Sequence, residues 1–113
     1  MKEFKFSYDK ENDDLFVYLD GEKSEGAVEF GNLIMDFDSS SNLVAIQILN
    51  AAEFFSKFFS KVLNLINIQS LRAEVVNFRN MDSLKLSVNI GGKEETSNIL
   101  IPRIRQSSPV LNY

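Results

Sequence analysis

Few residues in this chain have the chemistry to catalyse or to ligate. Its 113 residues include no histidine and no cysteine. That removes the usual general base near neutral pH, the usual zinc ligands, Ser–His and Cys–His nucleophile pairs, and disulfides. Carboxylates, lysines, tyrosines and hydroxyls remain. Lysine and serine are plentiful, but no spacing singles out a Ser–Lys pair. Among the carboxylates, Asp9, Asp13, Asp36 and Asp38 stand out. Asp9 and Asp13 bracket a polar stretch, and Asp36 and Asp38 share one face of an extended segment. In an up-and-down sheet of four strands the first and third turns share an end, which would gather Asp9, Asp13 and Asp38. Mg2+ and Ca2+ require carboxylate oxygens converging in this way. Turn formation accounts for the same residues, because an Asx side chain bonds backbone N–H groups of its own turn. No EF-hand spacing favours the cation, and the turn reading is the simpler of the two.

Other features invite a function and have plainer explanations. Phe54, Phe55, Phe58 and Phe59 are aromatic pairs at helical spacing. They either face a partner or, more simply, pack a helix onto a sheet. Gly91-Gly92-Lys93 has the glycines of a phosphate cradle, but a phosphate-binding loop is longer, ends in Lys-Ser/Thr and opens a helix. Here the flanks read as strands, so a tight hairpin is expected. Arg103 and Arg105 lie in a terminal stretch without basic surroundings, which reads as a tail rather than a nucleic-acid arm.

The elements that must position these residues follow from periodicity. Phe4, Phe6 and Tyr8 alternate with Lys5, Ser7 and Asp9, the period of a half-buried strand. Leu15, Val17 and Leu19 mark a second strand. Phe16 and Tyr18 occupy its other face, which therefore reads as not fully exposed. Residues 27–38 read as a third extended segment, with Leu33, Met35 and Phe37 on one face and a bulge or tight turn at Gly31-Asn32. Residues 43–49 read as a fourth strand. Strands this closely spaced pair antiparallel, since a parallel crossover needs a dozen or more residues. The period then changes. Asn50 and Glu53 resemble an N-cap pair, and Phe54, Phe55, Phe58, Phe59, Val62, Leu63 and Ile66 line one side of a helix over residues 51–66. Glu53 and Lys57 add an i,i+4 pair. Runs at 72–78, 84–90 and 96–101 complete the chain as strands, with a turn at Asn80-Met81-Asp82 and a tail over 103–113.

Composition bounds the class. A hydrophobic fraction of 44% and a charged fraction of 25% are ordinary for a globular protein, and the length suits one domain over residues 1–113. The net charge of −4 is unevenly spread. Residues 1–50 hold 4 Lys and Arg against 11 Asp and Glu, whereas residues 51–113 hold 8 against 5. An acidic half opposes nucleic acid as a partner. It suits a basic protein, or the basic half of another copy; a solvated surface explains it too. The opening Met1-Lys2-Glu3-Phe4-Lys5-Phe6 lacks the apolar core of a signal peptide, and no apolar run approaches a membrane span. A cytoplasmic protein without a membrane partner is the expectation.

The segment Tyr8-Asp9-Lys10-Glu11-Asn12-Asp13-Asp14-Leu15-Phe16-Val17-Tyr18-Leu19 resembles the opening hairpin of the family known as domain of unknown function 2283. That family shows a Tyr-Asp, a short turn, an Asp and a Leu-Tyr-type strand. Asp36-Phe37-Asp38-Ser39-Ser40-Ser41-Asn42-Leu43-Val44-Ala45-Ile46-Gln47-Ile48-Leu49-Asn50-Ala51 resembles its second half, an Asp-rich turn, a Gly-Ile-Glu-Ile-Leu-like strand and an Asp-Ala helix start. The resemblance covers about residues 4–55. Ser41 or Asn42 stands where a turn glycine is common, Ala45 replaces a glycine, Gln47 a glutamate and Asn50 an aspartate, so any role of those two acids is lost here. The resemblance implies an antiparallel sheet followed by a helix, and it brings no activity. Members are often paired with small toxin-like neighbours, which suggests an antitoxin-like role.

The expected fold is α+β: a four-stranded antiparallel sheet over residues 4–50, one amphipathic helix, then a three-stranded antiparallel meander over 68–102. Exposed sheet edges must be covered or paired, so a homodimer is expected. The expected function is a non-enzymatic protein-interaction module without a cofactor. A small-ligand or divalent-metal-binding domain built on the acidic turns is the alternative.

Overall fold

The computed structural model describes residues 1–59, 64–78 and 81–102. Residues 60–63 of the expected helix and the expected tail, with Arg103 and Arg105, lie outside them. Along the chain come β1 (Lys2–Asp9), β2 (Asp14–Tyr18), β3 (Gly26–Phe30), β4 (Leu33–Phe37), β5 (Leu43–Ile48), α1 (Ala51–Phe59), a single 3-10 turn at Leu65–Asn67, β6 (Ile68–Phe78), β7 (Met81–Ile90) and β8 (Lys93–Pro102). These strands form one antiparallel sheet in the order β3-β4-β5-β2-β1-β6-β7-β8. The α+β class and the antiparallel pairing are as expected, but eight strands stand where four plus a three-stranded meander were expected, and they form one sheet where the sequence left one or two open.

Two features account for the difference. Residues 27–38 are not one strand: the chain reverses at Gly31-Asn32, so β3 and β4 form a hairpin with Phe30 opposite Leu33. Gly31 takes φ 57 there, a left-handed conformation that glycine adopts without a Cβ penalty. Asn32 then ties the hairpin to β5 and its end, with its Nδ2 donating to Leu49 O at 2.8 Å and its carbonyl accepting Leu49 N–H at 2.9 Å. The meander is also joined to the rest through β1. Lys2, Glu3 and Phe4 pair with β6, whereas residues 5–9 pair with β2. The strand changes neighbours at Phe4, which is buried at that corner.

This corner lets both parts of the sheet share one core. Leu15, Val17, Met35, Phe37, Ile46 and Ile48 from the first five strands lie in one apolar cluster with Leu71, Leu84, Leu86, Val88, Ile99 and Ile101 from the last three. Helix α1 packs into the same cluster through Ala51, Phe54, Phe55 and Phe59. Ser97 Oγ of β8 donates to Phe58 O at 2.7 Å, fixing the end of the helix to the edge strand.

The helix differs from expectation at both ends. Asn50 has φ 51, whereas an N-cap residue is extended; its carbonyl accepts the first helical bond, from Phe54 N–H at 3.1 Å. Regular helix does not continue to residue 66, because Asn64 is extended and its side chain accepts Ile66 N–H, opening the 3-10 turn instead. Asp82 is not in a turn either. It lies inside β7 opposite Asn77, fully buried, and accepts Asn77 Nδ2 at 2.9 Å.

The β7–β8 hairpin is as the glycines predict. Gly91 and Gly92 have φ 62 and 82 between the paired Ile90 and Lys93. No heavy atom lies within 4 Å of a Cβ added at Gly92, so Gly92→Ala is opposed by backbone conformation alone. It is expected to cost about 1 kcal/mol, read as a lower denaturant midpoint with an unchanged slope.

Candidate functional site

The four aspartates do not converge. Asp9 accepts N–H bonds from Glu11 and Asn12 at 3.1 and 3.2 Å and from Asn12 Nδ2 at 2.8 Å. These bonds, the Asn12 side chain first, hold its carboxyl below the usual aspartate range. Asp38 closes its own turn in the same way, accepting from Ser40 and Asn42 N–H at 2.9 and 2.8 Å, and its carboxyl is likewise lowered, chiefly by Asn42 N–H. Lys2, at the start of β1, also acts on Asp38. Asp9 ends the same strand, seven residues and roughly 23 Å away. The expectation that Asp9, Asp13 and Asp38 share an end is therefore corrected. The extra strand makes the Asp38 turn the fourth, and successive turns lie at opposite ends, so the first and the fourth are apart. Among the described residues no three carboxylates are grouped as a metal site would need.

Asp13 has a different role. Its carboxylate reaches across to the start of α1 and accepts Ala52 N–H at 3.1 Å through Oδ1 and 3.2 Å through Oδ2, while its carbonyl accepts Ala51 N–H at 2.9 Å. The helix is capped from the β1–β2 turn, 39 residues away, with a negative charge at the positive end of the helix dipole. Tyr8 Oη donates to the same Oδ1 at 2.7 Å. That bond, then burial and the nearby carboxylates, push the Tyr8 hydroxyl up to about 12.

The face of the first five strands opposite α1 carries a different arrangement. Register places Ser7, Phe16, Gln47, Ile34 and Glu29 in one row across the sheet, and Lys5, Tyr18, Ala45, Asp36 and Ala27 in the next. Phe16 is 44% exposed and stacks on Tyr18 with centroids 5.1 Å apart and planes 17° apart. On the far side of Phe16, Asp9 and Asp14 stand directly opposite each other. Asp36 is half-buried one row from Phe16, and burial raises its carboxyl, opposed by the Ser24 hydroxyl. Lys5 is paired with Asp20. An aromatic stack with Asp9 and Asp14 beside Phe16, and Asp36 two strands from Tyr18, suits a guanidinium or ammonium group, which gains from both ring face and carboxylate. The signal for this face was the pair of aromatics on the second side of the Leu15-Val17-Leu19 strand.

Phe54, Phe55 and Phe59 are buried in the core, and Phe58 is half-buried. Phe54 and Phe58 border an open cleft of about 420 Å3 between α1, the β3–β4 tip and β8. Among the described residues, no helix is long and apolar enough to cross a membrane.

Residues 5–51 match the family described as "Protein of unknown function (DUF2283)". The chain is 37% identical over 68 residues to an uncharacterized protein of Methanocaldococcus jannaschii, a match spanning 59% of each chain. It is 29% identical over 85 residues to a Methanosarcina mazei protein named as a putative hypoxanthine phosphoribosyltransferase, across 75% of this chain and 68% of that one. No solved structure matches the chain.

Proposed function

From the face presented by the strands of residues 5–51, we propose that this chain is a non-enzymatic protein-interaction module that binds a basic protein partner. The observation that carries the reading is the exposed Phe16–Tyr18 stack, with Asp9 and Asp14 beside Phe16 and Asp36 two strands from Tyr18. Interface anchors are typically aromatic, and flanking charge selects the partner's sign. The net of −7 over residues 1–50 adds a longer-range attraction for a basic chain. An antitoxin-like pairing with a small basic toxin is one form such a complex takes.

The divalent-cation reading loses its geometric motive, because the aspartates that were to converge lie at two ends of the sheet. A phosphoribosyltransferase reading, which the name of the M. mazei relative would bring, gains nothing from Gly91-Gly92-Lys93. Those glycines turn a hairpin between two strands rather than opening a helix.

The test is a comparison of the tagged chain with its Phe16→Ser/Tyr18→Ser variant on nuclease-treated lysate of its own host at low salt. A basic protein held stoichiometrically by the parent, released by salt, and retained about tenfold less or worse by the variant supports the reading. Equal retention by a variant of unchanged thermal midpoint overturns it.

A further inference from the structure

The cleft beside α1 lies on the other side of the sheet from the Phe16 face. Its apolar walls are Phe30 and Leu33 from the β3–β4 hairpin, Phe54 and Phe58 from α1, and Ile99 and Leu100 from β8. Phe30 is 37% and Leu100 62% exposed, large apolar surface beside a concave apolar floor. The cleft sits where the terminal strands of the sheet order, β3 and β8, both approach the helix.

Its charges are arranged in a particular way. Glu53 in the first turn and Lys57 in the last turn of α1 both line the cleft. Lys57 Nζ lies over the Phe58 ring, 5.5 Å from its centroid, which keeps the ammonium at the rim. One acid and one base thus stand a turn apart along a single apolar strip. A two-fold axis between them brings each acid to the base of the other copy. Such self-complementarity is what an isologous interface requires. A partner of one charge sign would satisfy one of the two groups and oppose the other. The β8 edge agrees with this. Its first half carries Lys93, Glu94 and Glu95, charges that discourage strand addition, whereas Asn98, Ile99, Leu100 and Ile101 carry none, and Ile99 and Leu100 border the cleft.

We propose that the cleft is closed by a second copy of this chain, with the two α1 helices antiparallel across a two-fold axis, Glu53 of each copy facing Lys57 of the other, and Phe30 and Leu100 buried between them. The assembly presents two Phe16 faces outward, but the interface stands independently of what those faces bind.

The test is sedimentation velocity of the full chain over a concentration series, with charge exchanges at the two positions. The parent is expected to form a dimer. Glu53→Lys alone and Lys57→Glu alone each place like charges across the axis, and each is expected to weaken association about tenfold. The double exchange E53K/K57E restores complementarity and is expected to restore the dimer. Mixing the two single variants is expected to give a heterodimer, because one then supplies two bases and the other two acids. Circular dichroism checks that each variant is folded. A parent that stays monomeric at every concentration overturns the proposal. So does a dimer indifferent to all the exchanges, or one weakened by the single changes and restored neither by the double exchange nor by mixing. Phe16→Ser/Tyr18→Ser is expected to leave the dimer unchanged, so failure here and failure of the partner-binding face are separate results.

Discussion

Phe55→Ala is expected to lower the free energy of unfolding by about 3–5 kcal/mol, seen as a reduced denaturant midpoint and a thermal midpoint lower by on the order of 10–20 °C. Phe55 is 0% exposed. Its ring meets Phe54 edge-on, with centroids 5.4 Å apart, and stacks on Phe59 at 5.2 Å. The nine described residues of helix α1 are too few to hold together by backbone bonding alone. Its packing, rather than its propensity, keeps it on the sheet. Alanine would leave a void walled by paired strands that have little freedom to collapse into it, and the loss includes both the transfer of the ring and the empty space. Phe58 is half-buried at the cleft, so Phe58→Ala is expected to cost about 1–2 kcal/mol. The contrast separates the core members of the aromatic stripe from its rim. A Phe55→Ala cost below about 1 kcal/mol would mean that α1 is not seated as described.

Much of this core was legible from alternation. Leu33, Met35 and Phe37 share the buried side, as do Leu84, Leu86 and Val88, because an extended chain sends successive side chains to opposite faces. What alternation leaves open is seen at Gly31-Asn32. The parity of the helix-facing apolar residues changes there from Val28 and Phe30 to Leu33 and Met35. A one-residue bulge and a two-residue hairpin turn produce the same change of parity. Only the strand count distinguishes them, and that count decides at which end Asp38 lies. Counting this hairpin as a single strand, with the tight turn left as one alternative, is therefore what placed Asp38 at the end of the sheet that holds Asp9 and Asp13.

Neighbour identity was equally hidden. Nothing in the period of β1 says that its first residues pair with β6 and its later ones with β2, since each strand face looks the same whichever strand lies beside it. The Phe16 face was half legible. Two aromatics opposite a core face predict shielding, and the stack supplies part of it, yet Phe16 keeps 44% of its surface exposed. The partner proposed for this face would complete the shielding that the sequence pattern asks for. If the cleft pairs two copies, the Phe16 faces point away from that contact, and a partner with two basic segments would bind with avidity that neither face alone provides.

Asp13→Ala is the second large effect, expected at about 2–3 kcal/mol. Removal of a helix cap costs about 0.5–2 kcal/mol, and a part-buried hydroxyl that loses its acceptor adds about 1. The backbone adds to this in the same direction, because Asp13 has φ 55, a region that aspartate and asparagine tolerate better than alanine. Asp13→Asn keeps that tolerance and one carbonyl acceptor for Ala52 N–H, and loses only the charge at the helix start; a cost of about 1 kcal/mol is expected. The pH dependence supplies a second readout. Tyr8 is pushed up to about 12 when folded, against about 10 in the unfolded chain. The folded state holds this proton more tightly, so the contribution of the Tyr8–Asp13 bond is complete below about pH 10 and is lost as pH rises through about 12. The parent should therefore lose stability over that window more steeply than Tyr8→Phe, which has no hydroxyl to ionise, or Asp13→Ala, in which the hydroxyl has lost its acceptor. Denaturant midpoints measured across the alkaline range decide it. Parallel curves for all three proteins would mean that the Tyr8 hydroxyl does not bond Asp13 in solution, and would leave the cap alone to account for whatever Asp13→Ala costs.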